Sequence, residues 1–263
     1  MTAIVELDRV TVDYGQSRGL ADVSLQINAG EIVSLLGGNA SGKSTTMKTI
    51  LGLVRPSSGR VLIDGEDATA WPTNRRIAAG IASVPEARRV FADMTVADNL
   101  LTGAFVRRDR RGIAQSLAEV YDLPPRLADR RTPRAGTMSG GEQQMLAFGR
   151  ALMSRPRLIC MDEPTMGLAP IIVEQVLETI ADINQRLGVA VLLVEQNAEL
   201  ALSIAARGIV LRTGEIAIEG PAARLRADPA VRDAYLGQAS VVEQRERAAS
   251  ASITDQSETK GTT

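Results

Sequence analysis

Residues 37–45 read GGNASGKST, and this glycine-rich stretch decides the predicted fold. Gly37, Gly42, Lys43 and Ser44 match the pattern G-x-x-x-x-G-K-S/T of a phosphate-binding loop. In such a loop, glycines let successive backbone N–H groups converge on phosphate oxygens, and the positive end of the following helix faces the same anion. Lys43 is therefore predicted to neutralise the β- and γ-phosphates, and Ser44 to ligate Mg²⁺.

The segments on either side of this loop have the character that the motif requires. Residues 32–37, IVSLLG, form a short apolar run that predicts a buried strand. After the loop, apolar side chains recur at helical spacing, at Met47, Ile50, Leu51 and Val54. The chain is therefore predicted to run from strand to loop to helix. Ala40, inside the loop, needs only a small side chain, although a positive φ would cost alanine more than glycine.

Composition and charge exclude several kinds of site. The chain has 30 basic and 31 acidic residues and a formal net charge of -1, which gives no electrostatic footprint for nucleic acid. Histidine is absent and Cys160 is the single cysteine, which excludes a disulfide within the chain and a Cys/His zinc cluster. Any bound metal is therefore expected to have oxygen ligands.

The apolar segments predict a cytoplasmic chain. The longest runs, such as VAVLLV at 189–194, are far shorter than the ~18 residues needed to cross a bilayer. The first residues, MTAIVELDRVTVDYG, alternate like a strand and do not have the charged and apolar regions of a secretory signal.

The rest of the sequence predicts a mixed α/β protein with a helical insertion. Further strands are predicted at 3–12, 20–28, 59–66, 157–161 and 189–194, and a late hairpin turns at Thr213 and Gly214. Helices are predicted at 140–153 and 170–187, and the arginine-rich segment 95–136 is predicted to be a helical sub-domain. Strands that alternate with helices imply a mostly parallel sheet covered on both faces.

Two carboxylates follow the predicted strand at 157–161. Asp162 and Glu163 end the run RLICMDE, and ligands of α/β sheets bind at the carboxyl ends of the strands. Asp162 can therefore hold Mg²⁺, and Glu163 can polarise an attacking water. Taken alone, the pair is as well explained by a solvated strand end; together with the loop at 37–45, a nucleotide site is the better interpretation.

A capped helix is predicted between these two motifs. Ser139 and Glu142 have the S-x-x-E spacing of a capping box, and Met145, Phe148 and Leu152 form an apolar stripe that we assign to the core. A well-capped helix explains this segment without any ligand.

Three motifs in this order resemble the ATP-binding subunit of an ABC transporter. They are the Walker A motif at 37–44, SGGEQQ at 139–144 and ICMDEPT at 159–165, and the resemblance extends over about residues 3–237. It implies a P-loop NTPase fold of the RecA-like type, with an N-terminal antiparallel β sub-domain. The implied ATPase domain spans 1–238, with a nucleotide-binding core at 1–94 and 139–238 and a helical sub-domain at 95–138. The polar segment 239–263 is predicted to be a disordered tail.

The resemblance also implies how the site is assembled. In a head-to-tail dimer, the signature turn of one subunit closes on the γ-phosphate of ATP held by the Walker A loop of the other. The implied nucleotide-binding residues are Tyr14, which resembles the aromatic that stacks on adenine, Gly37, Gly38, Asn39, Ala40, Ser41, Gly42, Lys43, Ser44, Thr45, Ser139, Gly140, Gly141 and Glu142. The implied Mg²⁺ ligands are Ser44, Glu86 and Asp162. The implied catalytic residues are Glu163 as the base, Gln196 and Lys43.

Two of these positions depart from the usual family pattern. Glu86 stands where most of the superfamily has glutamine, and a carboxylate is a good oxygen ligand for Mg²⁺. Gln196 stands where most relatives place a histidine, and its amide does not titrate near neutrality. We therefore expect Glu163 to be the base and Gln196 only to position the phosphate.

Several segments are similar to the smaller ATPase subunit of branched-chain amino-acid importers. These are VPEARRVF, EQQMLA, GLAPIIVEQV, VEQNAELAL and AYLG. The resemblance implies a second ATPase subunit, either a similar chain or another copy, together with two transmembrane permease subunits and, indirectly, a periplasmic substrate-binding protein. The chain would then lie on the inner face of the cell membrane, held by its permeases.

Other functions remain open at this stage. An importer of urea or short amides has similar ATPases, and the solute pocket belongs to other chains. A chromosome-packing or DNA-repair ATPase would carry long coiled coils, whereas only 139 - 43 = 96 residues separate Lys43 from Ser139. A non-catalytic interaction subunit would not need the carboxylate of Glu163.

Overall fold

The computed structural model describes residues 3–122, residue 127 and residues 132–231, and its named strands form two sheets. In chain order the strands are β1 (Ala3–Tyr14), β2 (Ser17–Asn28), β3 (Ile32–Leu36), β4 (Ser58–Ile63), β5 (Glu66–Asp67), β6 (Ile81–Val84), β7 (Leu158–Asp162), β8 (Ala190–Val194), β9 (Arg207–Arg212) and β10 (Glu215–Pro221).

The larger sheet has six strands in the order β10-β9-β3-β8-β7-β6. Its neighbouring strands are parallel, except that β10 runs antiparallel to β9. The smaller sheet has the order β2-β1-β4-β5 and is antiparallel. The predicted α/β fold, with a mostly parallel sheet and an N-terminal antiparallel sheet, is confirmed.

The helices connect and cover these sheets. They are α1 (Lys43–Ile50), α2 (Thr73–Ala78), α3 (Val96–Thr102), α4 (Arg110–Tyr121), α5 (Gly140–Leu152), α6 (Pro170–Leu187), α7 (Ala198–Ile204), α8 (Ala222–Ala227) and α9 (Pro229–Val231), and a 3-10 turn spans Ala135–Thr137. Proline at its first position and Gly188 in the left-handed region after its last residue define the two ends of α6.

The larger sheet is buried on both faces. Alternate residues of its strands point to opposite sides and so enter two different cores. In β3, Ile32 and Leu36 join the core under the helices, whereas Val33 and Leu35 join the core that the smaller sheet covers. Both cores therefore hold the carboxyl end of β3, where the glycine-rich loop begins.

A buried arginine fixes the far end of the helix that follows this loop. The guanidinium of Arg76 is 1% exposed, and it donates hydrogen bonds to the carbonyl oxygens of Thr49 (2.6 Å) and Ile50 (2.8 Å) at the end of α1. A cation at a helix C-terminus satisfies carbonyls that have no partner within the helix. Arg76 thus helps to hold α1 against the sheet.

Two earlier expectations concern parts of the chain that the structure does not describe. The predicted tail at 239–263 lies outside the described residues, and so do residues 123–126 and 128–131 of the predicted helical insertion. Within the described part of that insertion, α3 and α4 pack on α5. The division of the ATPase domain at residues 94 and 138 stays a prediction. Across the described ranges, no helix combines the length and the apolar character that crossing a bilayer requires.

Candidate active site

The glycine-rich loop needs glycine at both of its outer positions. Gly37 and Gly42 have φ values of 150° and 111°, in the region that favours glycine. A Cβ at Gly37 would lie 2.5 Å from the carbonyl oxygen of Leu211, and one at Gly42 would lie 2.9 Å from a methyl carbon of Leu20. Conformation and crowding therefore both exclude a larger residue at these positions.

Lys43 lies in the centre of the loop and is 6% exposed. Its Nζ donates hydrogen bonds to the carbonyl oxygens of Gly37 (2.7 Å) and Gly38 (2.9 Å). Burial lowers the pKa of Lys43, and the nearby carboxylates of Glu163 and Asp162 oppose this shift. The ammonium is thus fixed across the loop and close to the carboxylates of Glu163, the predicted base, and Asp162, a predicted Mg²⁺ ligand.

Ser41, another loop residue, is placed in a way that suits a bound polar group. Ser41 is buried, and its Oγ has no hydrogen-bond partner among the described residues. A buried hydroxyl without a partner costs free energy, so a polar ligand at this loop would stabilise it. The loop also lines a cavity of about 250 Å³, whose wall consists of Tyr14, Arg18, Gly19, Ala40, Ser41, Gly42, Lys43, Ser44 and Thr45.

Tyr14 forms part of the wall of this cavity. It is 48% exposed, and a Cβ at Gly19 would lie 2.8 Å from its ring. The ring thus lines the same cavity as the loop, where a base attached to a loop-bound phosphate chain could reach it. Another cavity, of about 310 Å³, lies between α4 and α6, and no predicted site residue lines it.

Ala40 has a φ of 59°, in the left-handed region. This conformation costs a residue with a Cβ about 1–2 kcal/mol, and glycine adopts it freely. We expect Ala40→Gly to lower the dissociation constant for ATP about twofold to tenfold, because the loop then orders around phosphate without this strain.

The matched control at this position is Ala40→Val, because a β-branched residue disfavours positive φ more strongly. Its dissociation constant for ATP, measured by equilibrium titration with a fluorescent ATP analogue, should rise. A higher dissociation constant for Ala40→Gly than for the unchanged chain would refute this explanation of the position.

Asp162 and Glu163 lie at the carboxyl end of β7, beside the end of β8, which in turn pairs with β3. Burial raises the pKa of Asp162, the negative charges of Glu163 and Glu86 raise it further, and the positive charges of Lys43 and Lys48 oppose them. Glu86 is therefore close enough to act on Asp162. The negative charge at this edge of the sheet is greater than Lys43 alone balances.

This donor set fits Mg²⁺. The hydroxyl of Ser44, in the first turn of α1, and the carboxylates of Glu86 and Asp162 are the hard oxygen donors that the ion prefers. Among the described residues, no group of three or more His, Cys, Asp or Glu side chains could hold a metal. The remaining ligands would therefore have to come from phosphate and water, as is usual for Mg²⁺ at nucleotide sites.

Gln196 joins the predicted base to the glycine-rich loop. Its Nε2 donates hydrogen bonds to Oε1 of Glu163 (2.9 Å) and to Oδ1 of Asn39 (3.2 Å). The backbone N–H of Glu163 donates to the carbonyl oxygen of Val194 (2.8 Å), at the end of β8. Glu163 is therefore held through its backbone by the last residue of β8 and through its side chain by Gln196, which follows that strand.

The predicted signature turn forms the start of α5. Ser139 is the N-cap residue: its Oγ accepts a hydrogen bond from the N–H of Glu142 (3.3 Å), and its own N–H donates to Oε2 of Glu142 (2.7 Å). The predicted capping box is confirmed. The guanidinium of Arg88 lies over Gly140, where a Cβ would be 3.2 Å from Nη2.

Within the single chain, these residues do not join the loop. No hydrogen bond connects Ser139, Gly140 or Gly141 with residues 37–45 in the part of the chain that is described. The first N–H groups of α5 have no acceptor within the helix, so they can bind an anion from outside the chain. This arrangement agrees with a role toward a second subunit.

Glu195 is a residue of this region that the sequence reasoning missed. Its side chain is 4% exposed, and its Oε1 accepts hydrogen bonds from the backbone N–H of Thr165 (3.1 Å) and from Thr165 Oγ1 (2.7 Å). Burial raises the pKa of Glu195, and the two bonds from Thr165 oppose the shift. The sequence contained a signal for it, because Glu195 directly follows the apolar strand β8 much as Glu163 follows β7.

Comparisons with known proteins now identify the class. The ABC transporter family profile matches residues 20–166. The chain is 47% identical to the high-affinity branched-chain amino acid transport ATP-binding protein BraG of Pseudomonas aeruginosa, over 89% of this chain and 100% of that protein. It is 36% identical to the probable branched-chain amino acid transport ATP-binding protein LivF of Archaeoglobus fulgidus, over 82% of this chain and 92% of that protein.

Other relatives and structures match at lower identity. The lipopolysaccharide export ATP-binding protein LptB of Haemophilus influenzae is 33% identical, over 90% of this chain and 98% of that protein. A solved dimeric ATP-binding cassette in a post-hydrolysis state, bound to ADP and Pi, is 28% identical with a TM-score of 0.71, over 83% of this chain and 98% of that chain.

The fold and its loop define a P-loop NTPase. The chain belongs to the ABC transporter ATP-binding family, and it is an ATP-binding ATPase subunit of that family.

Proposed function

We propose that this chain binds and hydrolyses ATP to power an ABC importer of branched-chain amino acids. The observation that carries the catalytic part is the position of Glu163, whose carboxylate accepts a hydrogen bond from Gln196 (2.9 Å) beside the loop that holds Lys43. The relative with 47% identity, named for branched-chain amino acid transport, supports the choice of solute.

The binding site for ATP consists of the loop at 37–45 together with Tyr14. The loop N–H groups and Lys43 bind the phosphates, and Tyr14 stacks on the adenine. Ser44, Glu86 and Asp162 hold Mg²⁺. When bound, this ion neutralises phosphate charge that Lys43 alone does not balance.

Glu163 accepts the proton from the water that attacks the γ-phosphate. Gln196 donates one hydrogen bond to the carboxylate and one to Asn39, and so orients the base relative to the loop. Because an amide does not titrate near neutrality, Gln196 orients the carboxylate of Glu163 and does not transfer a proton. From the sequence we expected Gln196 only to position the phosphate. In the free chain its hydrogen bonds go to Glu163 and Asn39, so we propose that it also orients the base.

The complete site needs a second subunit. Ser139, Gly140 and Gly141 of one subunit bind the γ-phosphate of ATP held by the loop of the other, and Glu142 keeps this turn in shape through the capping box. Two ATP molecules then stabilise the closed dimer, because only the closed form surrounds their charge. Hydrolysis removes these contacts and the dimer opens. The partner is a similar ATPase chain or a second copy.

The permease contact is assigned to the segment from Glu86 to Thr102. Phe91, Met94 and Leu101 in this segment are exposed although they are large and apolar, by 49%, 40% and 45%. Apolar groups that stay in contact with water suit a protein interface. Two permease subunits would hold the ATPase on the inner face of the cell membrane, and a periplasmic protein would deliver the solute to them.

An importer of urea or short amides is the competing function, and transport measurements separate the two. Proteoliposomes that contain this chain with its partner ATPase, permeases and solute-binding protein should take up labelled leucine when ATP is present. ADP in place of ATP should abolish the uptake. Uptake of urea in preference to leucine would contradict the proposed solute while leaving the ATPase function intact.

A further inference from the structure

The loop that carries the proposed base has an unfavourable backbone conformation. Glu163 has a φ of 44°, in the left-handed region, which a residue with a long side chain adopts only when its surroundings impose it. A turn follows, in which the N–H of Met166 donates to the carbonyl oxygen of Glu163 (3.1 Å). Something outside this turn must therefore stabilise it.

The last residue of β8 and the two residues after it make four such hydrogen bonds. We call residues 194–196 the β8 exit. The carbonyl oxygen of Val194 accepts from the N–H of Glu163 (2.8 Å), and Gln196 donates to the Glu163 carboxylate (2.9 Å). Between them, the carboxylate of Glu195 accepts both bonds from Thr165, at 3.1 and 2.7 Å. The β8 exit therefore holds both ends of the stretch from Glu163 to Thr165.

Glu195 is also tied to the strand that leads into the glycine-rich loop. Its backbone N–H donates to the carbonyl oxygen of Leu35 (3.4 Å), near the end of β3, the strand that precedes the loop. Because its side chain is 4% exposed, it cannot swing into water without breaking both bonds from Thr165. A buried carboxylate with fixed partners is a rigid support.

We propose that Glu195 is a positioning residue for ATP hydrolysis, whose buried carboxylate holds Thr165 and so fixes the strained turn that presents Glu163. Glu195 touches neither nucleotide nor water in this account; it acts through Thr165 and the backbone of the turn. The inference rests on the proposed role of Glu163 as the base.

Glu195→Ala should lower kcat by roughly tenfold to a hundredfold, because Glu163 would no longer be held at the distance and angle that proton transfer from the attacking water requires. The KM for ATP should stay within about threefold of the original, since the glycine-rich loop is not altered. Steady-state ATPase rates of the full chain in its assembled transporter measure both, normalised to the fraction of molecules that bind ATP.

The conservative variant separates hydrogen bonding from charge. Glu195→Gln keeps an oxygen that can accept both bonds from Thr165, so its kcat should stay within about threefold of the original. A loss in Glu195→Gln as large as in Glu195→Ala would mean that charge matters and would overturn the proposal. So would a kcat for Glu195→Ala that falls only in proportion to its folded fraction.

The partner side chain gives a second variant in case Glu195→Ala does not fold. Thr165→Val keeps the volume of threonine and removes only the 2.7 Å hydroxyl bond, whereas Thr165→Ser keeps it. We expect kcat to fall about fivefold or more in Thr165→Val and to change little in Thr165→Ser. Equal rates in both variants would contradict a role for this bond.

A double variant distinguishes failure of the inference from failure of the proposed function. If Glu195 acts through the base, Glu195→Ala should not slow the residual hydrolysis of Glu163→Gln any further. An additional loss in the double variant would show an independent role. If Glu163→Gln alone hydrolyses ATP normally, the proposed role of Glu163 as the base is wrong; if Glu163→Gln is inactive and Glu195→Ala keeps its kcat, only the positioning role is wrong.

Discussion

Glu163→Gln is expected to stop ATP hydrolysis while leaving ATP binding intact. A general base contributes roughly 100-fold to 10,000-fold to a rate, so the steady-state ATPase activity of the assembled transporter should fall by at least about 100-fold. Glutamine has nearly the same shape as glutamate but is not a base, so the loop at 37–45 should still bind ATP. Subunits should then remain closed on unhydrolysed ATP, and size-exclusion chromatography should show an ATP-dependent dimer.

The matched control for this change is Glu178→Gln. Glu178 is an exposed residue of α6, so the same loss of charge occurs on the protein surface. Its ATPase rate should match that of the unchanged chain. Full activity of Glu163→Gln, or an equal loss in both variants, would refute the assignment of Glu163 as the base.

Lys43→Ala is expected to weaken ATP binding more than any other single change in the loop. Removing one partner of a buried charge contact costs about 2–5 kcal/mol, which corresponds to a dissociation constant higher by about 30-fold or more. Lys43→Arg should not restore binding, because the ammonium fits between the carbonyl oxygens of Gly37 and Gly38 at 2.7 and 2.9 Å. A planar guanidinium is larger and would overpack this buried position.

Lys48→Ala is the control for this experiment. Lys48 lies in the same helix but is exposed, so its removal should change ATP affinity by no more than about twofold. Equilibrium titration with a fluorescent ATP analogue measures all three variants. ATP affinity close to the original in Lys43→Ala, or restored by Lys43→Arg, would contradict the proposed role of the ammonium.

The parts of the fold that follow from periodicity and end signals could be predicted from the sequence. The helix at 170–187 was predicted with its observed bounds, because proline marks its start and Gly188 its end. The capping box at Ser139 and Glu142 and the strand before the glycine-rich loop were also predicted correctly. In each case the local sequence alone determines the structure.

Short elements were missed because tertiary packing determines them. The four-residue strand β6 (Ile81–Val84) is an edge strand of the larger sheet, where it pairs with β7, and α2 (Thr73–Ala78) is too short for a helical period to be visible. The order of strands in the larger sheet also depends on contacts distant in sequence. These features could therefore be identified only from the folded structure.

In the site, too, some features could be predicted from local sequence and others depend on the fold. The motif at 37–45 identified Lys43 from spacing, but its bonds to Gly37 and Gly38 depend on the folded loop. The link from Gln196 to Glu163 joins residues 33 positions apart, and the bonds between Glu195 and Thr165 join residues 30 apart. No local pattern contains such pairs, which is why the support behind the base appeared only in the structure.

The central claim is that ATP is bound jointly by the glycine-rich loop of one subunit and the signature turn of the other. A structure of the full transporter with the Glu163→Gln chain and ATP tests it directly. We predict that the N–H groups at the start of α5, near Gly140 and Gly141, lie within hydrogen-bond distance of the γ-phosphate held by the partner subunit. A closed, ATP-bound assembly in which this turn faces away from every triphosphate would contradict the account.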